Sequence, residues 1–156
     1  MSATLANDEL LITRHFDAPA ALVFAVWTDP VHYRQWMGPG EYTCDHIEID
    51  LRVGGAYRGM IASDADGESW FHGVYREIDP PSRLVFTFQW DKGPSAEVET
   101  LVTLSFRERG GKTDMTFHQS PFIDVARRDA HIKGWSGAFD KAVSYVERIA
   151  RKGESR

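Results

Sequence analysis

The chain has 156 residues, a formal net charge of −5 and one cysteine, Cys44. That length suits a single domain with its own core, expected from about residue 10 to 151. The lone cysteine argues against a disulfide scaffold and a thiolate zinc site, and the acidic balance against a nucleic-acid surface. No apolar run reaches the ~20 residues that a membrane-spanning helix needs. Met1 to Glu9 has no basic start leading into an apolar stretch, so no signal peptide is expected and the location is expected to be cytoplasmic. Five Trp and nine Phe in so short a chain imply an aromatic-rich core or pocket.

Leu10 to Phe16 reads as a first strand, after a frayed start over Met1 to Asp8. Asp17-Ala18-Pro19 reads as a helix start with Asp17 as the cap, and Val23, Val26 and Trp27 share one helical face. Asp29-Pro30 opens a second short helix ending near Met37, and Gly38-Pro39-Gly40 stops it. Strands follow over Tyr42 to Leu51, Ala56 to Ala62 and Ser69 to Ile78, divided by Gly54-Gly55 and by Asp64 to Gly67. Pro80-Pro81 has no N–H groups for a ladder and ends the third of these. Leu84, Phe86, Phe88 and Trp90 then alternate with Val85, Thr87 and Gln89. Val98 to Phe106 alternates with Glu97 to Arg107, and Met115 and Phe117 alternate with Asp114, Thr116 and His118. Such period-two patterning means an antiparallel sheet with one wet face. Gly110-Gly111 turns the last hairpin.

The chain closes with one long helix from about Val125 to Arg151, before a frayed end at Gly153 to Arg156. Its apolar stripe is Ile132, Trp135, Phe139, Ala142, Val143, Val146 and Ile149, and Arg127, Lys133, Asp140, Lys141 and Arg148 are expected on the opposite face. A sheet with one apolar face and a helix with one apolar stripe bury most surface when the sheet curls around the helix. The expected fold is therefore α+β: a curved antiparallel sheet of six or seven strands, two short helices after the first strand, and a long C-terminal helix.

Several motifs in this order carry a family resemblance. They are Phe16-Asp17-Ala18-Pro19, Val23-Phe24 through Trp27-Thr28-Asp29-Pro30, Trp36 before Gly38-Pro39, and Gly54-Gly55 before Tyr57. Gly73 to Ile78 with Pro80-Pro81, Arg83 to Thr87, and His131 with Gly134-Trp135 complete the set. The chain resembles the START-like or SRPBCC helix-grip superfamily, and within it the bacterial relatives of the heat-shock-protein-90 ATPase activator. The resemblance implies a small ligand-binding protein with an apolar cavity between sheet and long helix. Cyclase- or hydrolase-type catalysis in the same pocket is the alternative, because this fold does not fix function. The eukaryotic activator carries a further N-terminal domain that contributes to chaperone binding. This sequence matches its C-terminal-like domain only, so direct chaperone activation is not expected, and an interaction module of the activator type is kept as the third reading.

No nucleophile elbow, Ser-His-Asp order or acid pair is visible, and the six His show no metal spacing. No catalytic residue, metal or cofactor is therefore assigned. Gly111-Lys112-Thr113 and Asp64 to Gly67 mimic a phosphate loop and a calcium loop, but both read better as hairpin turns. Cys44 reads as a small buried hydrophobe. His118 falls on the wet face. His131 lies one helical turn before Trp135 and reads first as a structural hydrogen bond at the cavity rim. The parity of Ser69 to Ile78 stays open between Trp70, His72, Val74 and the set Phe71, Gly73, Tyr75; an inward His72 would be the best general base. Expected ligand-binding residues are Phe86, Phe88, Trp90, Met115, Phe117, His72, His131, Trp135 and Phe139. Gly134 hints at a close approach or a bend, since glycine inside a helix costs ~1 kcal/mol against alanine.

Overall fold

The computed structural model describes residues 7–93, 96 and 98–154. The elements run β1 (Leu10–Phe16), α1 (Ala20–Thr28), α2 (Pro30–Tyr33), β2 (Thr43–Ile49), β3 (Ala56–Ser63), β4 (Gly67–Asp79), β5 (Arg83–Trp90), β6 (Thr100–Arg109), β7 (Lys112–Ser120) and α3 (Val125–Glu154). The strands form one sheet in the order β1-β7-β6-β5-β4-β3-β2. Every neighbouring pair is antiparallel. The strand expected over Val98 to Arg107 begins at Thr100, and its Glu97 lies outside the described residues, as do Met1 to Ala6, Ser155 and Arg156. The long helix continues to Glu154 rather than stopping at Arg151.

Alternation sets the layers. On β6, Thr100, Val102, Leu104 and Phe106 are buried while Leu101 is 42% exposed. The inner face of the sheet holds the aromatic core, capped by α1 and α3. Among its fully buried side chains are Trp36, Phe16, Phe71, Phe88, Phe117 and Phe139. Each such side chain contributes roughly 1.5–3 kcal/mol through removal from water. One expectation fails on β5, where Val85 and Thr87 are buried although they alternate with the inner residues. The β4–β5 register shifts between Tyr75 and Glu77, and the Val74 N–H donates to Thr87 Oγ1 at 2.8 Å. The threonine is thus drawn into the ladder instead of standing in water.

The two short helices differ in how they start. Asp29 accepts the Val31 N–H at 2.9 Å, a side-chain cap with Pro30 in the first turn. Asp17 caps nothing: it bonds His15 at 3.1 Å, and α1 begins three residues later at Ala20. The Ala20 N–H is satisfied instead by Glu108 Oε1, 2.7 Å away on β6. At the other end, the His32 ring meets the Tyr145 hydroxyl at 2.6 Å and ties α2 to the later part of α3.

Candidate functional site

Between the first half of α3 and the β3–β5 part of the sheet lies a cleft of about 770 Å³, within the range that holds a small organic ligand. α3 supplies Arg127, Ala130, His131, Gly134, Trp135 and Ala138; the sheet supplies Ile61, Trp70, Phe88 and Trp90. Met37, Gly38, Pro39 and Tyr42 form a further wall, and Arg58, Glu68, Asp91 and Lys92 bring charge to the lining.

The aromatic wall is fixed by spent hydrogen bonds. Trp135 Nε1–H donates to Gln119 Oε1 at 2.8 Å, and Gln119 Nε2–H donates to Thr100 Oγ1 at 2.8 Å. Thr100 Oγ1–H donates to the Phe88 carbonyl at 2.7 Å and closes the relay. The Trp135 ring also meets Phe117 at 4.9 Å and Phe88 at 5.4 Å between centroids. Trp90 Nε1–H donates to His131 Nε2 at 2.9 Å, while His131 Nδ1 lies 2.7 Å from the Arg127 carbonyl. A carbonyl only accepts, so Nδ1 carries the proton and Nε2 offers the lone pair. Burial favours this neutral ring and holds the His131 pKa below the ordinary histidine value. Both ring nitrogens are committed within the protein, as the structural reading of His131 anticipated. This imidazole has no free lone pair with which to take a proton from a ligand.

The ligand-binding residues named from the sequence, His72 apart, divide in two. Phe88, Trp90, His131 and Trp135 line the cleft. Phe86, Met115, Phe117 and Phe139 are buried but sit in solid packing. There Trp27 touches the rings of Phe86, Phe117 and Phe139 at 6.0, 6.1 and 5.8 Å, and its Nε1–H points at Met115 Sδ at 3.4 Å. Strand parity gives the inward direction but not which stretch of the sheet α1 already fills. Trp27 occupies that space, and the cleft is left where α1 does not reach.

His72 is placed differently from the inward option. Phe71, Gly73 and Tyr75 are the buried set on β4, and His72 lies exposed on the outer face. Its Nδ1 meets Asp91 Oδ1 at 2.6 Å, and Arg58 reaches the other Asp91 oxygen at 2.8 Å. The Arg58 guanidinium, and after it His72, hold the Asp91 carboxyl below the usual range. His118 is on the outer face as expected and bonds Glu9 at 2.8 Å. Cys44 is buried, which pushes its thiol up to about 11, and it is no nucleophile near neutral pH. Among the described residues, no three His, Cys, Asp or Glu side chains are grouped as metal ligands.

Two cations of α3 leave the face assigned to them. Arg127 is half-buried and lines the cleft. It lies four residues before His131 and eight before Trp135, so one helical stripe carries all three. Lys141 is half-buried too, and its Nζ donates to the Tyr42 carbonyl at 2.9 Å. The close approach ascribed to Gly134 belongs to Gly137, where an added Cβ would stand 2.8 Å from Pro39 Cβ. At Gly134 an added Cβ meets nothing within 4 Å, because that side opens on the cleft. Trp70, Ile61, Ala138 and the Met37 to Tyr42 wall escaped the sequence reading. The Gly134-to-Ala138 spacing of small residues one turn apart was the signal that could have found Ala138.

The architecture, a curved antiparallel sheet gripping a long C-terminal helix with two short helices after the first strand, is the helix-grip fold. The family model described as Activator of Hsp90 ATPase homolog 1-like protein matches residues 17–147, and the chain belongs to that family. A crystal structure of a Chromobacterium violaceum protein is similar at 25% identity and a TM-score of 0.82, covering 91% of this chain and 99% of the other. One from Rhizobium leguminosarum is similar at 28% identity and a TM-score of 0.77, covering 90% and 94%. A crystal structure of a Silicibacter pomeroyi protein of the same family name, at 19% identity and a TM-score of 0.78 over 90% and 99%, shares the fold. No curated protein is significantly similar to the chain. No helix among the described residues is long and apolar enough to cross a membrane.

Proposed function

We propose that the protein binds a small apolar or aromatic molecule in the cleft between the sheet and the first half of α3. The observation that carries this reading is a cleft of about 770 Å³ whose inner wall is Phe88, Trp90 and Trp135 with their polar atoms already paired. Such a wall offers rings for stacking and dispersion contact and no spare donor to a polar guest. The same pairing favours a binder over a catalyst. His131, the titratable ring on that wall, has both nitrogens engaged.

Titration with the uncharged fluorophore N-phenyl-1-naphthylamine tests it. The parent protein is expected to bind saturably, with quenching of tryptophan emission. Gly134→Leu puts a branched side chain into the cleft from a position where nothing obstructs it. This variant is expected to keep the parent's circular dichroism and lose affinity by about tenfold or more, through direct occlusion. Unchanged binding in a folded Gly134→Leu protein would remove the cleft as the site.

A further inference from the structure

Resting on that reading, we propose the chemical class of the ligand: an apolar body bearing one carboxylate, its head held at the cleft mouth by Arg127 with help from Lys92. The argument starts from charge. The whole chain carries −5, yet the cleft lining holds three cations, Arg58, Lys92 and Arg127, against two carboxylates, Glu68 and Asp91. These charges are not equally free. Arg58 is bonded to Asp91 at 2.8 Å, and the other Asp91 oxygen is taken by His72. Glu68 accepts from the Trp70 indole at 3.3 Å.

Arg127 is placed otherwise. Its backbone N–H goes to Asp124 Oδ1 and its carbonyl to His131 Nδ1. Its guanidinium has neither an ion pair nor a hydrogen bond among the described residues, and neither has the Lys92 ammonium. An arginine that is half-buried with no described acid in salt-bridge reach of its guanidinium gives up hydration for no partner, and a bidentate carboxylate restores what it lost. The inner wall points the same way. With the Trp90 and Trp135 indoles and both His131 nitrogens spent, a ligand's polar group finds no partner there. An amphiphile therefore lies with its body on the aromatic wall and its charge at Arg127, one helical turn from His131 and two from Trp135.

Two kinds of acid carry this chemistry, aliphatic and aromatic, and matched probes separate them: decanoate against decanamide, and 2-naphthoate against 2-naphthamide. Each pair keeps its shape and differs in charge. Tryptophan quenching at near-neutral pH is expected to show at least one acid binding about tenfold tighter than its amide. Arg127→Gln should bring that acid to the level of its amide and leave the amide's affinity alone. About 0.5 M salt should weaken the acid and spare the amide, since the mouth is partly exposed. Equal binding of acid and amide in the parent would overturn the inference, as would an Arg127→Gln loss shared by both. If N-phenyl-1-naphthylamine binds and neither acid does, the ligand class is wrong and the cleft reading stands. If no probe binds, the cleft reading itself fails.

Discussion

His131 joins the long helix to the sheet through Trp90, and that bond exists only while the ring is neutral. Burial depresses its pKa in the folded protein and outweighs the bond to the Arg127 carbonyl, which raises it; the Arg127 charge adds to the lowering. The fold therefore favours the neutral ring over the unfolded chain, where histidine titrates near ~6.5. The resulting stability is complete above that value and is lost as pH falls from it through the lower folded pKa. Between about pH 7.5 and about pH 5, the parent's melting temperature should fall further than that of His131→Gln, which cannot charge. Equal slopes for the two proteins would count against a bond that depends on neutrality. Trp135 is the second test at this scale. Trp135→Phe keeps a ring but leaves Gln119 Oε1, fully buried, without its donor, at a cost of about 1–3 kcal/mol. Urea unfolding should show that loss, and N-phenyl-1-naphthylamine should bind more weakly and quench less. Intact affinity would leave Trp135 as core alone.

Within α3 the two glycines act in opposite ways. Gly134 faces open space, so Gly134→Ala should raise stability by about 1 kcal/mol through helix propensity alone. Gly137 lies against Pro39, and Gly137→Ala should lose stability because a Cβ would stand 2.8 Å from the proline. Thermal melts of both variants check the pair, and the same sign for both would refute this account. The sequence could not separate them, since they share one helix and differ only in what crosses above. The same limit appears at the helix starts. Asp29 with Pro30 was legible because its cap is local. Asp17 was misread because the group that satisfies α1 is Glu108, brought from a distant strand.

For the whole molecule, the order of strands and helices followed from alternation and from the stripe on α3, and the motifs named the family. The location of the cleft did not follow. Parity showed Phe86, Met115 and Phe117 pointing inward, but only the docking of Trp27 onto them shows that this part of the interior is full. The family's name refers to ATPase activation. On the cleft reading, adding the protein to its host's heat-shock-protein-90 homologue leaves ATP turnover unchanged, and a saturable several-fold rise would overturn that expectation. The Lys141–Tyr42 hydrogen bond bears on a different quantity, time. Tyr42 lines the cleft and is held twice, by Lys141 at its carbonyl and by Asp66 at its hydroxyl, 2.6 Å away. Neither Lys141 nor Asp66 is among the residues lining the cleft, so a guest there need break neither bond. If a guest enters past Tyr42, loosening one of these bonds lowers the barrier in both directions. In stopped-flow measurements, Lys141→Met should speed uptake and release by a similar factor and leave Kd nearly where it was. Unchanged rates in Lys141→Met would show that passage does not run by Tyr42.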